Sequence, residues 1–125
     1  MDKQERYEIY RGKVGPGWWR ILDKYIPKIL EADPEARLYI KEKYGYLRIG
    51  VASSKIDVQQ QIEWENAAEE EAAWICEACG KPGRIRKDRA WLQVLCYRCC
   101  IAQGYPKRYR EIMQETALKW LEEAD

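Results

Sequence analysis

The sequence predicts an α+β fold, in which a helix packs on a two-stranded β-hairpin and a long helix leads to a C-terminal zinc finger with a terminal helix. Three observations predict this fold. Apolar residues at helical spacing follow Pro16, an alternating apolar pattern brackets Tyr44-Gly45, and sixteen residues separate two Cys-x-x-Cys pairs. A chain of 125 residues can bury one core, so a single domain over 1–125 is predicted.

The first predicted helix begins near Trp18. Residues 1–15 are polar, weakly patterned and end in several glycines, so we expect an ordered or frayed lead-in segment there. From Trp18 to Leu30 the apolar residues recur at helical spacing, with charged residues on the opposite face. Pro27 lacks a backbone donor, and we expect it to kink this helix or tighten one turn.

A β-hairpin is predicted to follow this helix. Apolar and polar residues alternate over residues 36–43, and the alternation resumes after Tyr44-Gly45. A pair of such segments joined by a short glycine turn is typical of an antiparallel hairpin. Because an isolated hairpin is barely stable in water, its apolar face needs the preceding helix, and residues 16–54 are predicted to form one subregion.

The long connecting helix is predicted over residues 55–75. Ser53-Ser54 precedes it as a predicted N-cap, because serine hydroxyls accept hydrogen bonds from the first free backbone amides of a helix. Apolar residues are concentrated in its second half, and its Glu69-Glu70-Glu71 run is expected to face solvent. The helix leads directly into Cys76.

The finger is predicted over residues 76–104 and the terminal helix over residues 105–125. Arg84–Arg86 and residues 90–95 are expected to be short strands of a second hairpin between the two cysteine pairs. A zinc ribbon has its second ligand pair on a turn, whereas a treble clef has that pair at the start of a helix. Residues 101–103 leave room for one helical turn, which favours the treble clef. Pro106 suits the first turn of the terminal helix.

The two cysteine pairs predict a structural zinc site. A Cys-x-x-Cys pair in a tight turn offers two sulfurs, and two such pairs complete a tetrahedral set around Zn²⁺. Gly80 fits the turn after the first pair, since glycine adopts the backbone angles that such a turn needs. Two disulfides or separate buried thiols are the alternative. The predicted ligands are Cys76, Cys79, Cys96 and Cys99.

The fifth cysteine, Cys100, has three interpretations. It replaces Cys99 as a ligand, it is a reactive thiol beside Arg98, or it is a small buried apolar side chain. The odd number of cysteines and the lack of an apolar N-terminal run favour a reducing cytoplasm over secretion. No apolar run approaches the roughly 20 residues of a membrane-spanning helix.

Enzymatic activity is not predicted. The chain contains no histidine, which excludes imidazole acid–base chemistry and histidine-dependent catalytic triads. Four sulfur ligands also leave no coordination position for a water molecule, so the predicted zinc is structural rather than catalytic. No catalytic residue is therefore assigned.

Positive charge is concentrated around the finger. Residues 1–75 carry twelve Lys and Arg against fourteen Asp and Glu, residues 76–110 carry nine against two, and residues 111–125 carry one against five. These cations and the aromatic residues among them suit contacts with phosphates and bases, or with an acidic partner. Equally, they neutralise the zinc thiolates or pair with the acidic helices. The candidate contacts are Arg84, Arg86, Lys87, Arg89, Trp91, Arg98, Lys107 and Arg108.

Trp19 is a candidate partner anchor. Neighbouring helical residues point about 100° apart, so Trp19 lies at the edge of the core if Trp18 is inside it. An edge tryptophan either covers the hairpin or contacts a partner, since tryptophan is enriched at binding hot spots.

The motifs together resemble a family of small bacterial and phage proteins without an established function. They are the segment Ile40–Arg48 (IKEKYGYLR), the acidic helix after it, and the knuckle pair CxxCGxPGxxR and LCxxC. The resemblance covers about residues 16–100 and implies a fold more than an activity. The chain departs from the family pattern at Tyr46, where a second glycine is common, and at Cys99, where a histidine often ends the metal set.

Binding is the predicted function. The leading hypothesis is a cytoplasmic, zinc-stabilised interaction protein that is encoded by a phage and acts on a host protein. The second is nucleic-acid binding through the basic finger, and the third is an enzyme or small-molecule binder.

Overall fold

The computed structural model describes residues 3–87 and 92–104 of the chain. These residues form two antiparallel sheets of two strands each, together with several helices. This mixture of helices and antiparallel sheets agrees with the predicted α+β class, while the predicted helix over 105–125 lies outside the described residues. The elements are α1 (Lys3–Arg11), a 3-10 turn (Pro16–Trp18), α2 (Trp19–Ala32), β1 (Arg37–Lys43), β2 (Tyr46–Ser53), α3 (Val58–Ala72), β3 (Arg84–Arg86), β4 (Gln93–Leu95) and α4 (Tyr97–Ala102).

Helix α2 supplies one side of the main core, as its apolar stripe predicts. Its inward residues form one buried cluster with Ile40, Leu47 and Ile49 of the hairpin. Ala68 and Ala72 of α3 join the same cluster, so two helices rather than one cover the hairpin. Among the described residues, no helix is both long enough and apolar enough to cross a membrane. The buried stripe of α2 consists of Ile21, Leu22, Tyr25, Ile26, Ile29 and Leu30.

The β1–β2 hairpin has the predicted turn. Tyr44 and Gly45 both have positive φ, 56° and 81°, which defines the two-residue turn whose twist matches that of paired strands. The tip of this turn lies on the second hairpin, since a Cβ added to Gly45 would come within 2.0 Å of Ile85 Cδ1. The hairpin therefore contacts α2 and α3 through its apolar face and β3 through its tip.

The predicted lead-in segment contains a helix that the sequence pattern did not predict, since α1 occupies Lys3–Arg11. This helix is polar, and tertiary contacts hold it. The Arg11 guanidinium lies 2.8 Å from the Asp23 carboxylate, and the Trp19 indole Nε1 donates a 3.0 Å hydrogen bond to the Arg11 carbonyl oxygen. Tyr7 and Tyr10 pack against the main core. All these partners lie outside the α1 segment, so its own pattern does not reveal the helix.

The predicted cap of α3 is wrong. The helix begins at Val58, and its N-cap is Asp57, whose carboxylate accepts a hydrogen bond from the Gln60 amide. Ser54 instead donates its hydroxyl to the buried carboxylate of Asp33 at 2.8 Å. The serine thus fixes the end of α2 to the segment before α3.

Candidate metal centre

Four cysteine sulfurs converge at one point, as the spacing predicts. Their Sγ atoms all lie within 4.8 Å of one another, and those of Cys79 and Cys96 are 3.7 Å apart. A tetrahedral zinc ion with Zn–S bonds of about 2.3 Å holds its sulfurs about 3.8 Å apart. None of the five cysteines, which all fall within the described residues, is in a disulfide. The cluster therefore has the dimensions of a four-sulfur metal site. Its members are Cys76, Cys79, Cys96 and Cys99.

The first pair lies in a knuckle that follows α3. The Gly80 amide donates to the Cys76 carbonyl oxygen at 2.9 Å, and the Cys76 amide donates to the Lys81 carbonyl oxygen at 2.7 Å. Gly80 has a φ of 83°, which confirms the prediction that this turn needs glycine. The backbone amides of Ala78 and Cys79 form hydrogen bonds to the Cys76 sulfur. The knuckle thus presents its amides to a sulfur that becomes anionic when it binds a metal.

The second pair lies at the beginning of α4. Cys96 is the N-cap of this helix, and its sulfur accepts a hydrogen bond from the Cys99 amide at 3.4 Å. Cys99 lies in the first turn of the helix, so a single turn brings both sulfurs to the same side. This is the arrangement that the short stretch before Gly104 predicts.

The thiols are not equally easy to ionise. At Cys76, burial raises the pKa, but backbone hydrogen bonds from Cys96, Cys79 and Ala78 outweigh it and the pKa is lowered. Burial raises the pKa of Cys79. The pKa of Cys99 is raised strongly by burial and then by hydrogen bonds with the other cysteines. Four adjacent thiolates need a cation to offset their repulsion, and a thiophilic divalent ion fits this donor set.

Cys100 lies outside this cluster. It is fully buried and packs in one cluster with Leu95, Cys76 and Cys96. Its position agrees with the interpretation as a small buried apolar side chain, and Cys99 rather than Cys100 completes the sulfur set.

The turn before α2 lies directly on the knuckle. The Gly17 amide donates a 2.8 Å hydrogen bond to the Glu77 carbonyl oxygen. A Cβ on Gly17 would lie 2.0 Å from the Cys76 carbonyl oxygen, so the two backbones approach as closely as glycine allows. The sequence pattern predicted only a break between elements at Gly17 and did not predict this contact. Glycine on both sides of a proline next to a buried tryptophan is the signal that points to it.

Two charged residues of the finger itself are buried. Glu77 is 7% exposed, and its carboxylate accepts a 2.7 Å hydrogen bond from the Gln93 side chain. Arg86 is 6% exposed, and its Nε donates to the Leu95 carbonyl oxygen at 3.0 Å. Arg86 is therefore buried and hydrogen-bonded within the finger, and its contact with a partner stays a prediction.

The other predicted contact residues differ in their positions. Arg84, Lys87 and Arg98 are exposed on the finger. Trp19 is 38% exposed, and the Arg11 guanidinium lies 5.6 Å from the centre of its ring, so α1 already covers part of the indole. Four further candidates lie outside the described residues, namely Arg89, Trp91, Lys107 and Arg108.

Comparisons with family models, with curated proteins and with solved structures found no match to this chain. The resemblance to a family of bacterial and phage proteins therefore stays a prediction. What can be concluded about the site rests on its geometry alone.

Proposed function

We propose that this protein is a non-enzymatic binding protein built around a structural zinc finger of the treble-clef type. One observation supports the proposal most directly, the convergence of the four cysteine sulfurs within 4.8 Å. Zinc in such a site supplies a rigid cross-link between two segments of chain, and its four protein ligands leave no position for a substrate.

The treble-clef assignment is supported by the order of elements around the sulfurs. The first pair follows α3 in a knuckle, β3 and β4 form a short hairpin, and the second pair begins α4. A zinc ribbon would instead carry its second pair on a turn. The position of Cys99 inside the first turn of α4 supports the treble clef over the ribbon.

Zinc is proposed to stabilise the finger because the finger has little core of its own. Its strands β3 and β4 have three residues each and α4 has six. Elements of this size rarely bury enough apolar surface to fold alone, and metal binding then supplies the missing free energy. The finger in turn supports the tip of the first hairpin through Ile85.

Binding is the proposed activity because the surface around the finger offers exposed groups for a partner. Trp74 is 67% exposed at the end of α3, and Arg84 is exposed on β3 beside it. Large exposed apolar side chains next to charges are typical of interaction sites. The phage origin and the host protein partner stay predictions.

Native mass spectrometry with matched cysteine variants tests the metal site. The parent protein is expected to carry one zinc ion, and Cys79→Ser or Cys99→Ser is expected to lose it together with the near-ultraviolet circular dichroism of the folded state. Cys100→Ala, which changes a buried cysteine outside the cluster, is expected to keep the ion. A Cys100 variant that loses zinc while the Cys99 variant retains it would contradict the assignment.

Cobalt substitution tests whether the site is closed. Co²⁺ in a site of four thiolates is expected to give an absorption spectrum that added azide leaves unchanged, because no coordination position is open. A spectrum that shifts with azide would indicate an open, catalytic type of site and would reject the non-enzymatic proposal.

A further inference from the structure

The solvent-facing side of the β1–β2 hairpin carries cations and aromatic rings together. Lys41 pairs across the strands with Arg48, and Lys43 pairs with Tyr46, so these four side chains share the outer face. Tyr44 lies in the turn beside them. We call these five residues the hairpin face. None of these five residues is among the contact residues predicted from the sequence.

Two open grooves meet at the hairpin face. The first has a volume of about 380 Å³ and is lined by the five residues of the hairpin face together with Glu69. The second has a volume of about 320 Å³ and runs past Trp74 and Ile85 to Arg84. Tyr46 borders both grooves, so they lie next to each other, and we call the two together the channel.

The aromatic rings along this channel lie largely in water. Tyr44 is 62% exposed, Tyr46 is 54% exposed and Trp74 is 67% exposed. Contact of such rings with water is unfavourable, roughly in proportion to their apolar area. Three rings in one channel therefore form an apolar surface that a partner with flat apolar faces would cover.

The charges along the channel are mainly positive. Lys41, Lys43, Arg48 and Arg84 line it, against Glu69. The Arg48 guanidinium also lies 3.2 Å from the Glu65 carboxylate, yet its side chain is 56% exposed. The Lys43 ammonium lies 5.3 Å from the centre of the Tyr44 ring, so the channel presents a cation and an aromatic ring side by side. The partner that complements this channel is an anion with aromatic faces.

We infer that this channel binds single-stranded nucleic acid. The phosphates of a single strand pair with the cations, and its unpaired bases stack on the exposed rings. A duplex offers the same phosphates but keeps its base faces stacked inside, so it leaves the rings uncovered. An acidic peptide would neutralise the cations but has no series of flat rings. This inference rests on the proposed binding function and adds the location and chemistry of the partner.

Fluorescence anisotropy with labelled oligonucleotides of about 12 nucleotides tests the inference on the full, zinc-loaded chain. Oligothymidine and oligouridine serve as DNA and RNA strands, and a duplex of the same length serves as the comparison. We expect either single strand to bind at least tenfold more tightly than the duplex. For four phosphate contacts, the affinity is expected to fall on the order of 50-fold between about 50 and about 200 mM salt.

Aromatic variants test the stacking contribution to binding, and a lysine double variant tests the charge contribution. Tyr46→Ala or Trp74→Ala is expected to weaken binding about tenfold without changing the salt slope, and Tyr46→Phe is expected to restore it. The double variant Lys41→Gln, Lys43→Gln is expected to lower the slope by about 1.4, as two lost phosphate contacts require. Lys55→Gln and Val58→Ala, exposed at the other end of α3, are the controls and are expected to bind as the parent does.

The outcomes distinguish this inference from the proposed function. A chain that holds one zinc ion, is folded, and binds none of the strands at low salt overturns the nucleic-acid inference and leaves the zinc-stabilised fold intact. Equal affinity for duplex and single strand, or binding that ignores Tyr46 and Trp74, also overturns it. Binding of an acidic protein that requires Lys41 and Lys43, without any binding of oligonucleotides, assigns the channel to the other class of partner and overturns it as well.

Discussion

The indole Nε1 of Trp18 donates a 2.8 Å hydrogen bond to the carbonyl oxygen of Ile75, the residue immediately before Cys76, the first cysteine of the sulfur cluster. Trp18 is fully buried in the main core, and Ile75 forms a β-bridge with Pro82 inside the finger. The bond therefore joins the helix-and-hairpin core to the metal centre. A substitution that destabilises one of these parts is therefore expected to destabilise the other.

Replacing Trp18 by phenylalanine tests this link. Trp18→Phe removes the donor and leaves a part-buried carbonyl oxygen unpaired, which is expected to lower the free energy of unfolding by about 2 kcal/mol. Trp19→Phe is the matched control, because Trp19 also donates its indole N–H to a carbonyl oxygen but is half-exposed. Its cost is expected to stay below about 1 kcal/mol. Urea unfolding of the zinc-loaded proteins measures the free energy of unfolding of both variants. Equal losses of stability would contradict a role for the Trp18 hydrogen bond in joining the core to the finger.

Gly17→Ala tests the close approach between the 3-10 turn and the knuckle. The added Cβ would lie 2.0 Å from the Cys76 carbonyl oxygen, so the two backbones must separate. We expect a destabilisation of about 1–3 kcal/mol and faster loss of zinc to a colorimetric chelator. Gly12→Ala is the control, because its added Cβ meets its nearest neighbours at 3.5 Å, an ordinary contact. If Gly17→Ala released zinc no faster than Gly12→Ala, the turn would have no role in holding the knuckle.

Substitution of Arg86 is expected to affect mainly stability, and substitution of Arg84 mainly binding. Arg86→Gln removes the buried hydrogen bond to the Leu95 carbonyl oxygen and is expected to lower the free energy of unfolding by about 1–3 kcal/mol. Arg84→Gln changes an exposed residue of the same strand and is expected to alter stability by less than about 0.5 kcal/mol while it weakens binding of single strands. Thermal unfolding and anisotropy on the same samples check both expectations. The opposite ranking would place Arg86 on the surface.

Asp33 is expected to stabilise the junction of α2, β1 and α3 as a carboxylate. Hydrogen bonds from the Lys55 amide, the Ser54 hydroxyl and the Glu35 amide hold the pKa of Asp33 below its usual value. A lowered pKa stabilises the fold at any pH above the unfolded value of about 3.9, and this contribution is lost as the pH falls through the folded pKa.

Asp33→Asn is therefore expected to reduce stability equally at pH 7 and at about pH 5, since both lie above that value. Asp57→Asn, at an exposed N-cap where asparagine serves nearly as well, is expected to change little. Chemical unfolding at the two pH values measures the effect. A loss that shrinks markedly at about pH 5 would mean that Asp33 titrates well above the expected range.

Local pattern was sufficient to predict α2, the first hairpin and the four sulfurs. The stripe of α2 is periodic within fourteen residues, the Tyr44-Gly45 turn fixes the register of two adjacent strands, and each Cys-x-x-Cys pair is a single turn. In these cases the residues that decide the structure lie close together in the sequence. The same reason explains why Cys99 could be preferred over Cys100 from spacing alone.

Contacts between distant segments were not predictable in this way. Helix α1 depends on Asp23 and Trp19 of another helix. Ser54 has the chemistry of a helix cap, but its hydroxyl forms a hydrogen bond to Asp33, which lies 21 residues away in the chain. A formal charge at Arg86 predicted exposure, yet a carbonyl oxygen within reach allows its burial. In each case a partner in another segment of the chain, rather than the residue itself, determines the local structure or the burial.

The hydrogen bond from Gly17 to Glu77 also sets an order of events during protein synthesis. Helix α2 is complete in sequence once Ala32 has been made, but the turn at its N-terminal end has no partner until Glu77 has left the ribosome. The fourth sulfur appears later still, with Cys99. The segment around Trp18 is therefore expected to stay incompletely covered until the residues of the sulfur cluster have emerged, and the two are expected to fold in a single late step.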